Sequence, residues 1–186
     1  SRSQLGPNVI ELCALADITF IGLHGGIGED GRLQAAFDTL GIRYTGPDSL
    51  GCALSMDKGV TKELFHSSGV PTPYGTHITR KDKDISLEEL QIPLPLVVKP
   101  CSGGSSIGVH FAHTEEEYRE AMRLSFEKED EVVIEPFIDG REYACGIFDG
   151  QALPLVEIIP DGGVFDYVHK YQSGGASEIC PATSVD

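Results

Sequence analysis

Residues 95–108 (Pro-Leu-Val-Val-Lys-Pro-Cys-Ser-Gly-Gly-Ser-Ser-Ile-Gly) constrain the fold more than any other stretch. A short apolar run carries Lys99 at its end, a loop of glycines and hydroxyls follows, and a second strand-like run begins at Ile107. A cation on a strand beside the N–H groups of a flexible loop suits a polyphosphate. The order of the parts is not that of a Walker loop, in which the lysine follows the glycines and opens a helix. Gly-Gly-Ser-Ser is also ordinary turn composition, so by itself the stretch fits a plain hairpin as well as a phosphate loop.

Upstream, Val9–Leu15 reads as a short helix and Asp17–Leu23 as a buried parallel strand, rich in β-branched and apolar residues. The strand runs into residues 24–31 (His-Gly-Gly-Ile-Gly-Glu-Asp-Gly) and then a helix over 32–40, capped by Gly41. Gly26, Gly28 and Gly31 match G-x-G-x-x-G, but a dinucleotide needs its pyrophosphate at the helix N-terminus. Glu29 and Asp30 already put negative charge there, which suits the helix dipole and repels a second anion. Ligands bind at the ends of parallel strands in open α/β sheets, which makes His24 and Glu29 candidates for an amine or carboxylate substrate. Residues 44–49 read as a short strand and turn, and 50–56 as a helical turn. Asp57 caps a helix over 58–68. Lys58, on this helix, has the look of an ordinary solvated lysine. Pro71 and Pro73 then divide an α/β piece from a sheet-rich one.

In the sheet-rich piece, strands are expected at 74–78, 95–99 and 107–112, and a short helix at 85–90. A further helix over 114–126 starts at a capping box of Thr114 and Glu117, with Tyr118, Ala121, Met122 and Ser125 on one face. His110 and His113 would point to opposite faces of a strand, so they read as incidental rather than metal-binding. Residues 132–137 (with Glu135 near the end), 142–148 and 152–159 read as three sequential strands of one antiparallel sheet, the last two joined by the hairpin signal Asp149-Gly150. Residues 161–182 lack periodicity; aromatics, His169 and Lys170 between glycines read as a lid.

Composition narrows the function. The 186 residues carry a net charge of −15, which argues against nucleic acid while leaving room for a small anion held by a few lysines. No apolar run reaches the roughly 20 residues of a membrane span, and no signal-peptide pattern opens the chain. The five cysteines show no zinc-ligand spacing and suit free thiols in a reducing cytoplasm.

Taken in order, several stretches resemble the D-alanine–D-alanine ligase family of the ATP-grasp superfamily. They are residues 24–31, Tyr-Thr-Gly at 44–46, Ser-Met-Asp-Lys at 55–58, Val-Val-Lys-Pro at 97–100 with Gly-Ser-Ser-Ile-Gly at 104–108, Glu135 with Gly-Arg-Glu at 140–142, and Asp-Tyr-Val-His-Lys-Tyr at 166–171 with Cys-Pro-Ala at 180–182. The resemblance implies an α/β (α+β) fold. Residues 1–56 would be part of a Rossmann-like parallel α/β domain, and 57–186 an ATP-grasp domain with antiparallel sheet, incomplete at its C-terminus.

It further implies that Lys58 and Lys99 contact the ATP phosphates under a loop containing Gly104, Ser105 and Ser106. Glu135, Pro136, Phe137 and Ile138 would line the adenine pocket, Glu142 would hold the ribose, and Lys170 would reach the γ-phosphate. Ser105 and Tyr171 would close the lid over substrate, with His24 near the first D-alanine. Tyr171 fits D-alanine as second substrate, with D-serine left open. Magnesium ligands, and the N-terminal strand with a substrate-orienting glutamate, would lie outside this sequence. The chain is therefore expected to be an internal fragment of a cytoplasmic homodimer, inactive alone. The alternatives are an ATP-grasp ligase for another carboxylate and amine, and a non-catalytic nucleotide-binding module.

Overall fold

The computed structural model describes residues 5–160 and 175–185. Contacts divide the chain into two units, residues 1–104 with 108–137 and residues 105–107 with 138–186.

Among the described residues the first unit holds six α-helices: α1 (Val9–Ala14), α2 (Arg32–Leu40), α3 (Ser49–Met56), α4 (Lys58–Ser67), α5 (Leu87–Leu90) and α6 (Glu115–Lys128). It also holds strands β1 (Thr76–Thr79), β2 (Leu96–Pro100), β3 (His110–Ala112) and β4 (Glu131–Pro136). These form an antiparallel sheet in the order β1-β4-β2-β3. Side chains alternate across a strand, and that alternation sets the layers. Ile78, Leu96, Val98, Val132 and Ile134 are buried on one face with Tyr118, Ala121, Met122 and Phe126 of α6. The opposite phase carries His77, Lys99, Glu131 and Glu135, on the side where α4 packs against β4.

Helix starts follow the local sequence. Asp57 Oδ1 accepts the Val60 N–H at 2.9 Å and Asp48 Oδ1 that of Gly51 at 2.7 Å. Thr114 Oγ1 accepts the Glu117 N–H at 3.2 Å, but the Glu117 carboxylate takes the N–H of His113, not that of Thr114. The expected box is thus displaced by one residue, and a full reciprocal box forms instead at Ser86 and Glu89 of α5.

Among its described residues, the second unit forms a three-stranded antiparallel sheet, ordered β5-β8-β9, and a small hairpin. Its strands are β5 (Glu142–Ala144), β6 (Ile147–Phe148), β7 (Gln151–Ala152), β8 (Val156–Pro160) and β9 (Ala176–Ile179). The β6–β7 turn has Asp149 at φ 49° and Gly150 at φ 73°, the left-handed pair that Asp-Gly hairpins adopt.

Four expectations are corrected. Asp17–Leu23 forms no buried strand: it makes one parallel bridge, Thr19 with Tyr44, and Ile18 and Phe20 are 59% and 81% exposed. The strands read at 132–137, 142–148 and 152–159 do not share a sheet. Both edges of β4 are taken by β1 and β2, which leaves no edge for β5. The two later runs are each broken, where Leu153 donates its N–H to the Gly146 carbonyl at 2.8 Å. Finally, part of the segment read as structureless, Ala176–Ile179, pairs with β8; residues 161–174 lie outside the described residues.

Candidate functional site

On the α4 face of the sheet a buried carboxylate is held between two lysines. Lys62, one turn beyond Lys58 on α4, places Nζ 2.7 Å from Glu135 Oε1, while Lys99 Nζ binds Glu135 Oε2. The β2–β4 register sets Lys99 opposite Val133 and Val97 opposite Glu135, so strand alternation puts lysine and glutamate on one face. Lys62 and Glu135 side chains are each only 11% exposed. Burial alone would raise the Glu135 carboxyl, but hydrogen bonds and charge from Lys62 and Lys99 outweigh it and hold the group below the usual carboxylate range. Gly75 permits the close approach of chain here. A Cβ at that position would lie 2.6 Å from the Ile134 carbonyl oxygen and 2.9 Å from Glu135 Cγ.

Lys58 is built into the root of the glycine loop. Its backbone N–H donates to the Cys101 carbonyl at 2.9 Å, and Nζ donates to the carbonyls of Gly103 at 2.7 Å and Cys101 at 3.4 Å. Burial lowers its pKa, and the neighbouring Lys99 charge adds a smaller push the same way. Glu129, just past α6, ties down the loop by accepting the Ser102 N–H at 2.8 Å and the Ser102 hydroxyl at 2.7 Å. Beyond this anchor, Ser105 and Ser106 take φ values of 57° and 58°, left-handed positions that non-glycine residues occupy at a cost of about 1–2 kcal/mol. Gly104 groups with the first unit, and Ser105 and Ser106 with the second.

The other residues singled out from sequence are spread more widely. Pro136 ends β4, and the Phe137 N–H donates to the Pro95 carbonyl at 2.9 Å, with its ring edge-on to Phe111 at 5.7 Å. Ile138, 61% exposed, and Glu142, on β5 opposite Ile158, belong to the second unit. His24 lines a cavity of about 570 Å³ with Phe20, Leu23 and Phe37. Glu29 is exposed after a 3₁₀ turn over Gly26–Gly28, and Asp30 rather than Glu29 accepts the first helical N–H, from Arg32 at 3.0 Å. Lys170 and Tyr171 lie outside the described residues.

The structure therefore brings Lys99 and Glu135 together with Lys62, and fastens Lys58, at the start of α4, to the adjacent loop. Lys62, Gly75 and Glu129 were missed from sequence. The only signal for Lys62 was its i+4 spacing from Lys58 on a helix face. Also missed was buried Glu157 in the second unit, which accepts from Ser184 Oγ at 2.6 Å and from Arg141 Nη1 at 3.3 Å. Chemically, the first set can hold an anionic group with ammonium donors and present one carboxylate acceptor to an amine.

Residues 64–186 match the family model described as D-ala D-ala ligase C-terminus, and residues 2–47 the one described as D-ala D-ala ligase N-terminus. A D-alanine–D-alanine ligase from Pediococcus pentosaceus is 38% identical over 181 residues, or 97% of this chain and 51% of the relative. The crystal structure of D-alanine–D-alanine ligase from Bacillus anthracis superposes with a TM-score of 0.81 at 38% identity, covering 95% of this chain and 58% of that one. Its complex with ATP gives 0.77 at 36%, covering 92% and 56%. The VanG D-Ala:D-Ser ligase from Enterococcus faecalis gives 0.79 at 34%, covering 92% and 51%. The chain spans about half the length of the curated relatives it matches. With both family models matched in order and the α+β ATP-grasp architecture shared with solved ligases, the chain belongs to the D-alanine–D-alanine ligase family.

Proposed function

We propose that this chain supplies the nucleotide-clamping part of an enzyme that joins two D-alanines at the expense of ATP, making a dipeptide for peptidoglycan. The observation that carries the reading is the set Lys58, Lys99 and Glu135 at the root of a glycine–serine loop, in a chain whose relatives include a ligase complexed with ATP.

In this reading the carboxylate of the first D-alanine attacks the γ-phosphorus of ATP, giving an acyl phosphate and ADP. The amine of the second D-alanine then attacks the acyl carbon, and phosphate leaves. Phosphoryl transfer rests on positioning and charge neutralisation. Lys58 and Lys99 meet that need for the phosphates, with Gly104, Ser105 and Ser106 covering them and Lys170 reaching the γ-phosphate. Glu135, Pro136, Phe137 and Ile138 bound the adenine, and Glu142 takes the ribose hydroxyls. Ser105 and Tyr171 exclude water from the acyl phosphate, and His24 and Glu29 serve the first amino acid. We take the assembled enzyme to be a cytoplasmic homodimer acting on small molecules, with residues 1–56 and 57–186 as its two domain portions.

Among the described residues, no group of three carboxylates is gathered at one point to hold magnesium. The one group of three that could hold an ion, His77, Cys101 and Glu131, offers a thiol and an imidazole, whereas magnesium takes oxygen ligands.

Calorimetric titration of the 186-residue chain with ATP tests the nucleotide site. Lys99→Ala is expected to weaken binding about 10- to 100-fold, the worth of a charge-assisted contact; equal affinity in wild type and variant would overturn the assignment. The chain alone is expected to release no ADP when given ATP and D-alanine. A full-length ligase carrying it should release phosphate only with D-alanine present. Phosphate release with a different amino acid alone would favour another carboxylate–amine ligase, and ATP binding with no turnover would favour a binding module.

A further inference from the structure

Three side chains that the nucleotide reading leaves unused converge at the foot of α4. His77 on β1, Glu131 at the start of β4 and Cys101 just past β2 place one donor atom each within 4.8 Å of the others. They come from two strands and the residue that follows a third, and the backbone between them is fixed: the Cys101 N–H donates to the Glu131 carbonyl at 3.1 Å, and His77 is in register with Val133. The ring of His77 is pressed against α4, since a Cβ on Gly59 would stand 3.3 Å from Nδ1. Its Nε2 is thereby turned to Glu131 Oε2, 2.9 Å away. Cys101 is 2% exposed at the floor, while the His77 and Glu131 side chains are 35% and 49% exposed, so the mouth of the cluster opens to solvent.

An exposed His–Glu pair above a buried thiol is by itself unremarkable, because such pairs contribute little and a buried cysteine packs as a small apolar group. The convergence of all three donors on one point is what that description leaves unexplained. We propose that His77, Cys101 and Glu131 form a three-ligand site for a divalent cation of the zinc class, with a fourth position open to water. Nitrogen, thiolate and carboxylate at tetrahedral geometry are donors that zinc accepts and magnesium does not. Bonds of 2.0–2.3 Å put neighbouring donors about 3.5 Å apart, which the exposed His77 and Glu131 side chains reach by turning inward.

On binding, the Cys101 S–H bond breaks, its proton passes to water and a sulfur–metal bond forms. His77 ligates as the neutral ring through Nε2, whose proton, donated to Glu131 in the free chain, is lost to water while Nδ1 takes one up, so the ring changes tautomer with no net proton released; Glu131 ligates as carboxylate. The His77–Glu131 hydrogen bond is given up, and one proton is released per ion. Burial holds the Cys101 thiol up at about 12, so that proton leaves only because the ion displaces it. The carbonyl of the same cysteine receives both the N–H and the Nζ of Lys58. A bound ion therefore clamps the residue on which Lys58 rests.

Titration of the reduced 186-residue chain with Co²⁺, followed by absorption, tests the site. A thiolate-to-cobalt charge-transfer band at one ion per chain is expected, displaced by Zn²⁺ and unaffected by excess Mg²⁺. Cys101→Ser should abolish the band, and His77→Gln and Glu131→Gln should each weaken Co²⁺ binding at least tenfold while leaving the circular dichroism of the chain unchanged. Absence of the band in wild type, its survival in Cys101→Ser, or unaltered affinity in both exposed-ligand variants would overturn the proposal. Those two variants keep the test decisive should Cys101→Ser fail to fold.

Discussion

Glu135 accepts from Lys62 on one oxygen and from Lys99 on the other, and neither partner is dispensable in the same way. Lys62 is as buried as the glutamate. Lys62→Met would leave the carboxylate with one partner and is expected to cost about 3 kcal/mol, the usual penalty for breaking a buried pair; urea unfolding of the variant measures it. The depressed folded-state pKa of Glu135 also fixes the sign of a pH effect. Its stabilisation is fully present above the unfolded carboxylate value of about 4.3 and is lost as pH falls through the folded value. Unfolding free energy should therefore decline on acidification below about pH 4, and more shallowly in Lys62→Met, whose glutamate has lost part of its shift. A slope unchanged by the substitution would detach Glu135 from the acid limb.

At the scale of elements, the sequence was clearest where local chemistry and burial agree. Helix α6 was readable from Thr114 and from the spacing of Tyr118, Ala121, Met122 and Ser125, all of which are buried. Thr114→Ala should cost about 1 kcal/mol by freeing the Glu117 N–H, read as a lowered urea midpoint with an unchanged slope. The β6–β7 turn was legible for the same reason, since only a few residues tolerate the left-handed pair; Gly150→Ala should cost about 1 kcal/mol in the same assay. Sheet membership was not legible. Nothing in the apolar run at 132–136 states that its neighbours are β1 and β2, because pairing partners are chosen by tertiary packing rather than by the strand's own pattern. Lys62 escaped notice on similar grounds: a helix lysine gains meaning only from the carboxylate it meets across the sheet.

For the whole molecule, a net charge of −15 surrounds a site proposed to bind an anion. At low salt the long-range field opposes ATP, and the lysines act only at close quarters. Raising ionic strength from about 0.01 to 0.1 M shortens the Debye length from about 30 to 10 Å. Stopped-flow association of ATP should accordingly become faster over that range, the reverse of an anion steered onto a basic protein. A rate that falls with salt would show that the local lysine field dominates at distance. The same distinction explains why composition alone said little of the site: charge totals describe the envelope, whereas Lys58 and Lys99 are placed by a helix cap and a strand register.

The pairing of Lys99 with Glu135 has a consequence for how a phosphate could ever be received. Lys99 already has a counter-ion, so an incoming anion does not find a vacant charge; it must win the lysine in an exchange. What makes the exchange affordable is Lys62, which stays with Glu135 when Lys99 departs and spares it isolation in a dry place. Affinity for the nucleotide is then a difference between two ion pairs, and the residue that tunes it is one that need never touch the ligand.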